Sequence, residues 1–177
     1  ARLRHALQMA DMVRIDHFRG FAAYWEIPAI APDAVSGKWM PGPGAKLFEA
    51  FNQAIPHLPV IAEDLGLITP DVLALRDQFN LPGMRVLQFA FGDTDANPFL
   101  PHNYVPNAVA YTGTHDNDTT VGWWDALPDP QKAFAQRYLG SDGQAIHRDM
   151  MRALSQSVAN LVIFPMHHEP FDVIRAS

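Results

Sequence analysis

Five short apolar runs punctuate the chain, and each closes on polar residues. They cover residues 12–16 (Met-Val-Arg-Ile-Asp), 58–64, 84–91, 108–112 and 161–165. Their length and β-branched content predict buried parallel strands. Helical patterns lie between them. Residues 45–55 carry apolar side chains at Leu47, Phe48, Phe51 and Ile55, which share one helical face. Thr69 followed by Pro70 predicts an N-cap and first helical residue, with the helix running to about Phe79 and Asp71 near its positive end. Asp129 and Pro130 repeat that signal, and Gly140 supplies the stop. A longer helix is expected from about Gln144 to Ala159. The opening run sets Leu3, Leu7 and Ala10 on one face without an initiating Met, an N-cap or a signal-peptide core, so it is expected to be a helix cut from a longer chain. Strand and helix alternate, which predicts an α/β fold around a parallel sheet, with residues 40–44 and 97–104 as ordered loops beyond the strands' C-terminal ends.

Composition narrows the classes of function. The 177 residues carry 13 Lys plus Arg against 19 Asp plus Glu, a formal charge of −6. That balance disfavours nucleic-acid binding, which needs clustered cations. Hydrophobic residues make up 48% and charged residues 18%, enough apolar material for a core and too little charge for a disordered chain. Cysteine is absent, which removes disulfides, thiolate metal sites and thiol nucleophiles. No run reaches the ~18 apolar residues of a membrane span. With no membrane segment and no secretory signal, a cytoplasmic protein is expected.

Three acids follow predicted strands: Asp16, Glu63 and Asp116. Ligands of parallel α/β proteins bind beyond the C-terminal strand ends, so three segments could deliver carboxylates to one rim. Asp also commonly caps turns after strands, which is the ordinary alternative for any one of them. Arg14 stands two residues before Asp16 and so on the same side of the strand. If buried, it would keep Asp16 ionised, as a nucleophile requires. Alternation puts Glu63 and Asp64 on opposite faces. A partly buried Glu63 near other carboxylates would hold a proton near neutrality, and one charged acid with one protonated acid suits retaining glycosidic chemistry. Tyr24, Trp25, Trp39, Phe89, Phe91, Tyr104, Trp123 and Trp124 lie in or near the same loops, where flat rings suit sugar C–H faces or simply pack.

Other chemistries fit less well. Acids at strand ends can hold Mg²⁺, but that class adds a Lys or His base. Lys38, Lys46 and Lys132 all lie off the predicted strands, which leaves His17 and His115. Asp116-Asn117-Asp118 begins like a calcium loop, yet Val121 and Leu127 stand where Gly and Glu are needed. Residues 42–46 lack phosphate-loop spacing. His167-His168-Glu169 reads as a solvated tail. A non-catalytic carbohydrate-binding or regulatory fragment would keep the aromatics without needing Arg14, Asp16, Glu63 and Asp116 together.

The segments Val13-Arg14-Ile15-Asp16-His17-Phe18-Arg19-Gly20-Phe21, Ile61-Ala62-Glu63-Asp64-Leu65-Gly66 and Tyr111-Thr112-Gly113-Thr114-His115-Asp116-Asn117-Asp118-Thr119 resemble, in order and separation, signatures of the amylomaltase (4-α-glucanotransferase) family of the α-amylase clan. Residues 23–28 and 81–84 extend the resemblance, which runs to about Met166. It implies a partial TIM (β/α)₈ barrel, about strands 4 to 8, with residues 1–177 as the C-terminal portion of a catalytic domain that has lost its first strands and carries an atypical tail at 167–177. It also implies retaining transfer of α-1,4-glucan segments between maltodextrin or starch-derived donors and acceptors, without cofactor or metal. Asp16 would be the nucleophile, Glu63 the general acid/base and Asp116 the transition-state stabiliser. Arg14, His115, Phe89 and Asp93 would bind substrate. A hydrolase of the same clan or an inactive glucan-binding fragment is the alternative.

Overall fold

The structure, a computed structural model, describes residues 1–92 and 94–166. Asp93 and the 167–177 tail lie outside the described residues. Two compact units divide the chain, one spanning Ala1–Gly83 and one beginning at Met84.

The first unit contains α1 (Arg2–Ala6), β1 (Val13–Ile15), a 3₁₀ turn at Phe18–Phe21, β2 (Ala23–Glu26), β3 (Lys38–Pro41), α2 (Gly44–Ala54), β4 (Val60–Ala62) and α3 (Pro70–Gln78). Strands β1 and β4 are parallel, with Val13 opposite Val60, Arg14 opposite Ile61 and Ile15 opposite Ala62. Alternation then sorts the side chains. Ile15, Val60 and Ala62 join Phe18, Phe48, Val72, Leu75 and Leu81 in one core. Arg14 and Ile61 therefore face the other way. Phe48 centres that core, its ring 5.4 Å from both Phe18 and Phe79.

Helix α3 begins at Pro70 with Thr69 as its N-cap residue, as predicted, although the Thr69 side chain makes no cap hydrogen bond. The Thr69 hydroxyl bonds the Asp71 carboxyl instead and holds it below the ordinary carboxylate value. The helix is tied to the sheet by Arg76, which pairs with Asp64 just past β4. Their side chains are 12% and 2% exposed. Gly83, opposite Ala62, makes room for that pair, since a Cβ there would lie 2.5 Å from an Asp64 oxygen.

Strands β2 and β3 form an antiparallel hairpin that the sequence pattern did not announce. The sequence pattern places its aromatics in or near the loops beyond the strand ends. The long connection at residues 27–37 hides the pairing, because hairpin signals rest on short turns. Trp25 faces Trp39 edge-on at 5.4 Å, and its indole N–H donates to the Ala34 carbonyl at 2.7 Å. Gly37 is obligatory there, because a Cβ would stand 2.3 Å from the Trp25 indole nitrogen.

The second unit holds most of β5 (Gly83–Val86), then β6 (Ala108–Tyr111), α4 (Thr120–Ala126), α5 (Asp129–Leu139), α6 (Ile146–Ser155) and β7 (Leu161–Ile163). Strands β6 and β7 are parallel, with Ala110 opposite Val162. The third apolar run yields a shorter strand than expected, because Leu87–Phe89 leave it as a 3₁₀ turn. Leu87, Phe91, Leu100, Ala110, Met150 and Leu154 build this unit's core. Helix α4 was not foreseen, although its cap is visible in retrospect: the Thr119 hydroxyl accepts the Gly122 N–H at 3.1 Å. Helix α5 starts at Asp129 with Pro128 as N-cap, one residue before the predicted cap, and Gly140 ends it in the left-handed conformation. Helix α6 is shorter at both ends than predicted, and its buried Asp149 pairs with Ser141 and Arg152.

The main sheet has the order β1-β4-β5-β6-β7. Strands that follow in chain order with intervening helices make this an α/β fold of the partial (β/α)₈ class.

Candidate active site

The two leading acids meet in the first unit through backbone geometry. The Glu63 N–H donates to the Ile15 carbonyl at 3.0 Å, one step past the last paired residues. Asp16 and Glu63 thus leave neighbouring parallel strands at the same level, and such strands lie roughly 4.8 Å apart. They follow Ile15 and Ala62, which point into the helix-side core, so their side chains project to the opposite face, the face of Arg14. Asp64, one further on, points back to Arg76, as alternation predicted.

His17 completes the arrangement. A regular parallel ladder would give the Glu63 carbonyl to the His17 N–H. Instead His17 adopts φ 49° and ψ 51°, and Phe18 donates to that carbonyl at 3.1 Å. The released His17 N–H donates to Glu63 Oε2 at 2.6 Å, while Leu65 N–H donates to Oε1 at 2.8 Å. Left-handed backbone at a non-glycine residue costs about 1–2 kcal/mol. That cost brings the Glu63 carboxylate against the peptide joining Asp16 to His17. Sequence reasoning missed His17 as a backbone donor, since nothing in a histidine's identity announces a left-handed turn.

Arg14 donates to Asp16 Oδ1 at 2.7 Å, so the predicted partnership forms. The expected burial does not: the Arg14 side chain is 29% exposed and that of Asp16 76%. Water screens such a pair, so its main effect is to orient the carboxylate.

The second unit holds the other candidates. Asp116 does not stand at the end of β6 but in a turn beyond it, where Asn117 N–H donates to the Thr114 carbonyl at 3.1 Å. The Asn117 amide oxygen accepts from the Thr114 N–H and hydroxyl at 2.9 and 2.8 Å. These bonds leave Asp116 and His115 facing solvent, 74% and 68% exposed, with His115 Nε2 3.3 Å from Asp116 Oδ1. Gln88, which sequence reasoning did not single out, grips both ends of this loop. Its backbone N–H donates to Thr112 at 3.2 Å and its buried side-chain amide to Asp118 at 3.1 Å. Phe89 is 43% exposed and rests edge-on against Phe99.

The aromatic residues divide by burial. Phe91 and Tyr104 are core residues, and Trp123 and Trp124 pack against that core. Tyr24, Trp25 and Trp39 remain exposed on the hairpin. Among the described residues no group of three His, Asp or Glu is placed to hold a metal ion, and no helix is long and apolar enough to cross a membrane.

The family model described as 4-alpha-glucanotransferase matches residues 1–170. The 4-alpha-glucanotransferase of Thermus thermophilus is 53% identical over 173 residues, which cover 93% of this chain and 35% of that protein. The chloroplastic/amyloplastic 4-alpha-glucanotransferase of Solanum tuberosum is 49% identical, with 93% and 29% covered. The chain therefore spans about a third of the length of the curated relatives it matches. Among solved structures, the amylomaltase of Streptococcus agalactiae in complex with acarbose superimposes with a TM-score of 0.89 at 38% identity, covering 94% of this chain and 34% of that one. A family model that takes in residues 1–170 and relatives at about half identity lead to one assignment: this chain belongs to the 4-alpha-glucanotransferase family.

Proposed function

We propose that the full-length protein carrying this chain is a 4-α-glucanotransferase, moving α-1,4-glucan segments between maltodextrins by retaining double displacement. Its five parallel strands serve as the fourth to eighth of the catalytic barrel, with residues 1–177 the C-terminal portion of that domain. The observation that carries the reading is the placement of Asp16 and Glu63 on adjacent strand ends, joined through the His17 N–H.

In the first step Asp16, steered by Arg14, attacks the anomeric carbon of the donor. Glu63 gives a proton to the departing 4-oxygen, and the bond to the leaving glucan breaks as a glycosyl ester forms on Asp16. In the second step Glu63 takes the proton of an acceptor 4-hydroxyl, which attacks the same carbon and expels Asp16. Two inversions give net retention. Asp116 stabilises the positive charge that develops on the sugar, and Arg14, His115, Phe89 and Asp93 contact substrate. Transfer exceeds hydrolysis where acceptor sugar excludes water.

Incubation of the full-length protein with maltotriose tests this. Glucose together with maltodextrins longer than the substrate is expected, and Asp16→Asn should lower the rate by at least about a thousandfold. Glucose and maltose without longer products would indicate hydrolysis, and substantial transfer by Asp16→Asn would refute the nucleophile.

A further inference from the structure

Consecutive residues beyond β1 hold the segment that begins with Glu63. The His17 N–H takes the Glu63 carboxylate, and the Phe18 N–H takes the Glu63 carbonyl. The next residue, Arg19, reaches further and donates from Nη1 to the Leu67 carbonyl. Between those two points the segment has little of its own to hold it. The Leu67 side chain is 77% exposed, and Gly66 has a φ of 86° with nothing within 4 Å of a Cβ position. Yet Leu65, inside this weakly packed stretch, supplies the second N–H bond to the Glu63 carboxylate. Arg19 is itself held from the far side. Its guanidinium lies 4.4 Å from the centre of the Trp39 ring on the hairpin, and its Nε is buried without a hydrogen-bond partner. A cation stacked on an indole is attracted by the negative face of the ring, the more so when partly desolvated.

We infer that Arg19 is a positioning residue for Glu63, clamping the 65–67 segment so that the Leu65 N–H aims the carboxylate at the leaving oxygen, with Trp39 as its backing. The inference rests on the proposed acid/base role of Glu63.

Two donors separate this role from a general weakening of the fold. A glucan leaving group needs the proton of Glu63, whereas fluoride leaves without one, so single-turnover fluoride release from α-maltosyl fluoride depends on Asp16 and not on the acid. In the full-length protein, Arg19→Leu should lower kcat for maltotriose transfer by about tenfold or more with little change in KM. Fluoride release should fall by less than about threefold. Trp39→Leu should show the same selectivity in weaker form. If Arg19→Leu does not fold, as judged by circular dichroism, the same ratio is read on Arg19→Lys, which retains charge but loses the planar stack. Parallel losses with the two donors, or no loss with maltotriose, would overturn the inference. Failure of the unaltered protein to lengthen maltotriose would overturn instead the reading beneath it.

Discussion

Asp16 and Glu63 share a location at neighbouring strand ends, yet their environments differ. Asp16 is open to water and oriented by Arg14, whereas half-buried Glu63 is fixed by two backbone N–H groups. That division fits an attacking group that must meet a sugar carbon and a proton carrier that must point at one oxygen. Glu63→Gln should therefore lower maltotriose transfer by at least about a hundredfold while leaving single-turnover fluoride release from α-maltosyl fluoride within about tenfold of the unaltered protein. Equal loss with both donors, measured in the same single-turnover experiment, would remove Glu63 from the acid role. Asp16, Glu63 and Asp116 could be picked out from sequence because each follows an apolar run. The contacts made by His17, Arg19 and Gln88 could not, because they depend on a left-handed backbone, a reach across a loop and a buried amide. None of these leaves a periodic signature.

At the next level, secondary-structure elements position these groups through a few tight fits. Gly83 lets β5 lie beside the buried Asp64–Arg76 pair, which locks α3 against the strand that delivers Glu63. Adding a methyl group there should cost about 1–3 kcal/mol through overpacking and displacement of the pair. Urea unfolding of Gly83→Ala in the full-length protein checks this, and an unchanged midpoint would show that the pair yields freely. Thr119 caps the short helix that follows the Asp116 loop, so Thr119→Ala should cost about 1 kcal/mol in the same measurement. The five strands of the main sheet were readable from apolar runs, most clearly β4 and β6, which are buried throughout. Helices α1, α2, α3, α5 and α6 were each expected from apolar spacing or from Pro and Gly signals. The β2–β3 hairpin was not, because its stability comes from Trp25, Trp39 and Gly37 meeting across a long connection. Nor was α4, whose seven residues, about two turns, are too few to show a helical period.

In the whole molecule, burial is uneven along the sheet. Every residue of β4 and β6 is buried, whereas Leu161 of β7 is 41% exposed and the residues of β1 are only half-buried. The relatives at about half identity are roughly three times as long as this chain. Transfer should accordingly belong to the full-length protein, with the 177-residue chain alone giving no maltodextrin longer than maltotriose in an overnight incubation. Longer products from the chain alone would show that residues 1–177 contain every group the reaction needs.

The most direct test traps the ester on the nucleophile. A 5-fluoro-α-glucosyl fluoride forms the glycosyl-enzyme but slows its breakdown, and peptide mapping by mass spectrometry then locates the sugar. The expected adduct sits on Asp16, within the peptide that also contains His17 and Arg19. A sugar on Glu63 or Asp116, or turnover with no adduct on any carboxylate, would contradict double displacement through Asp16.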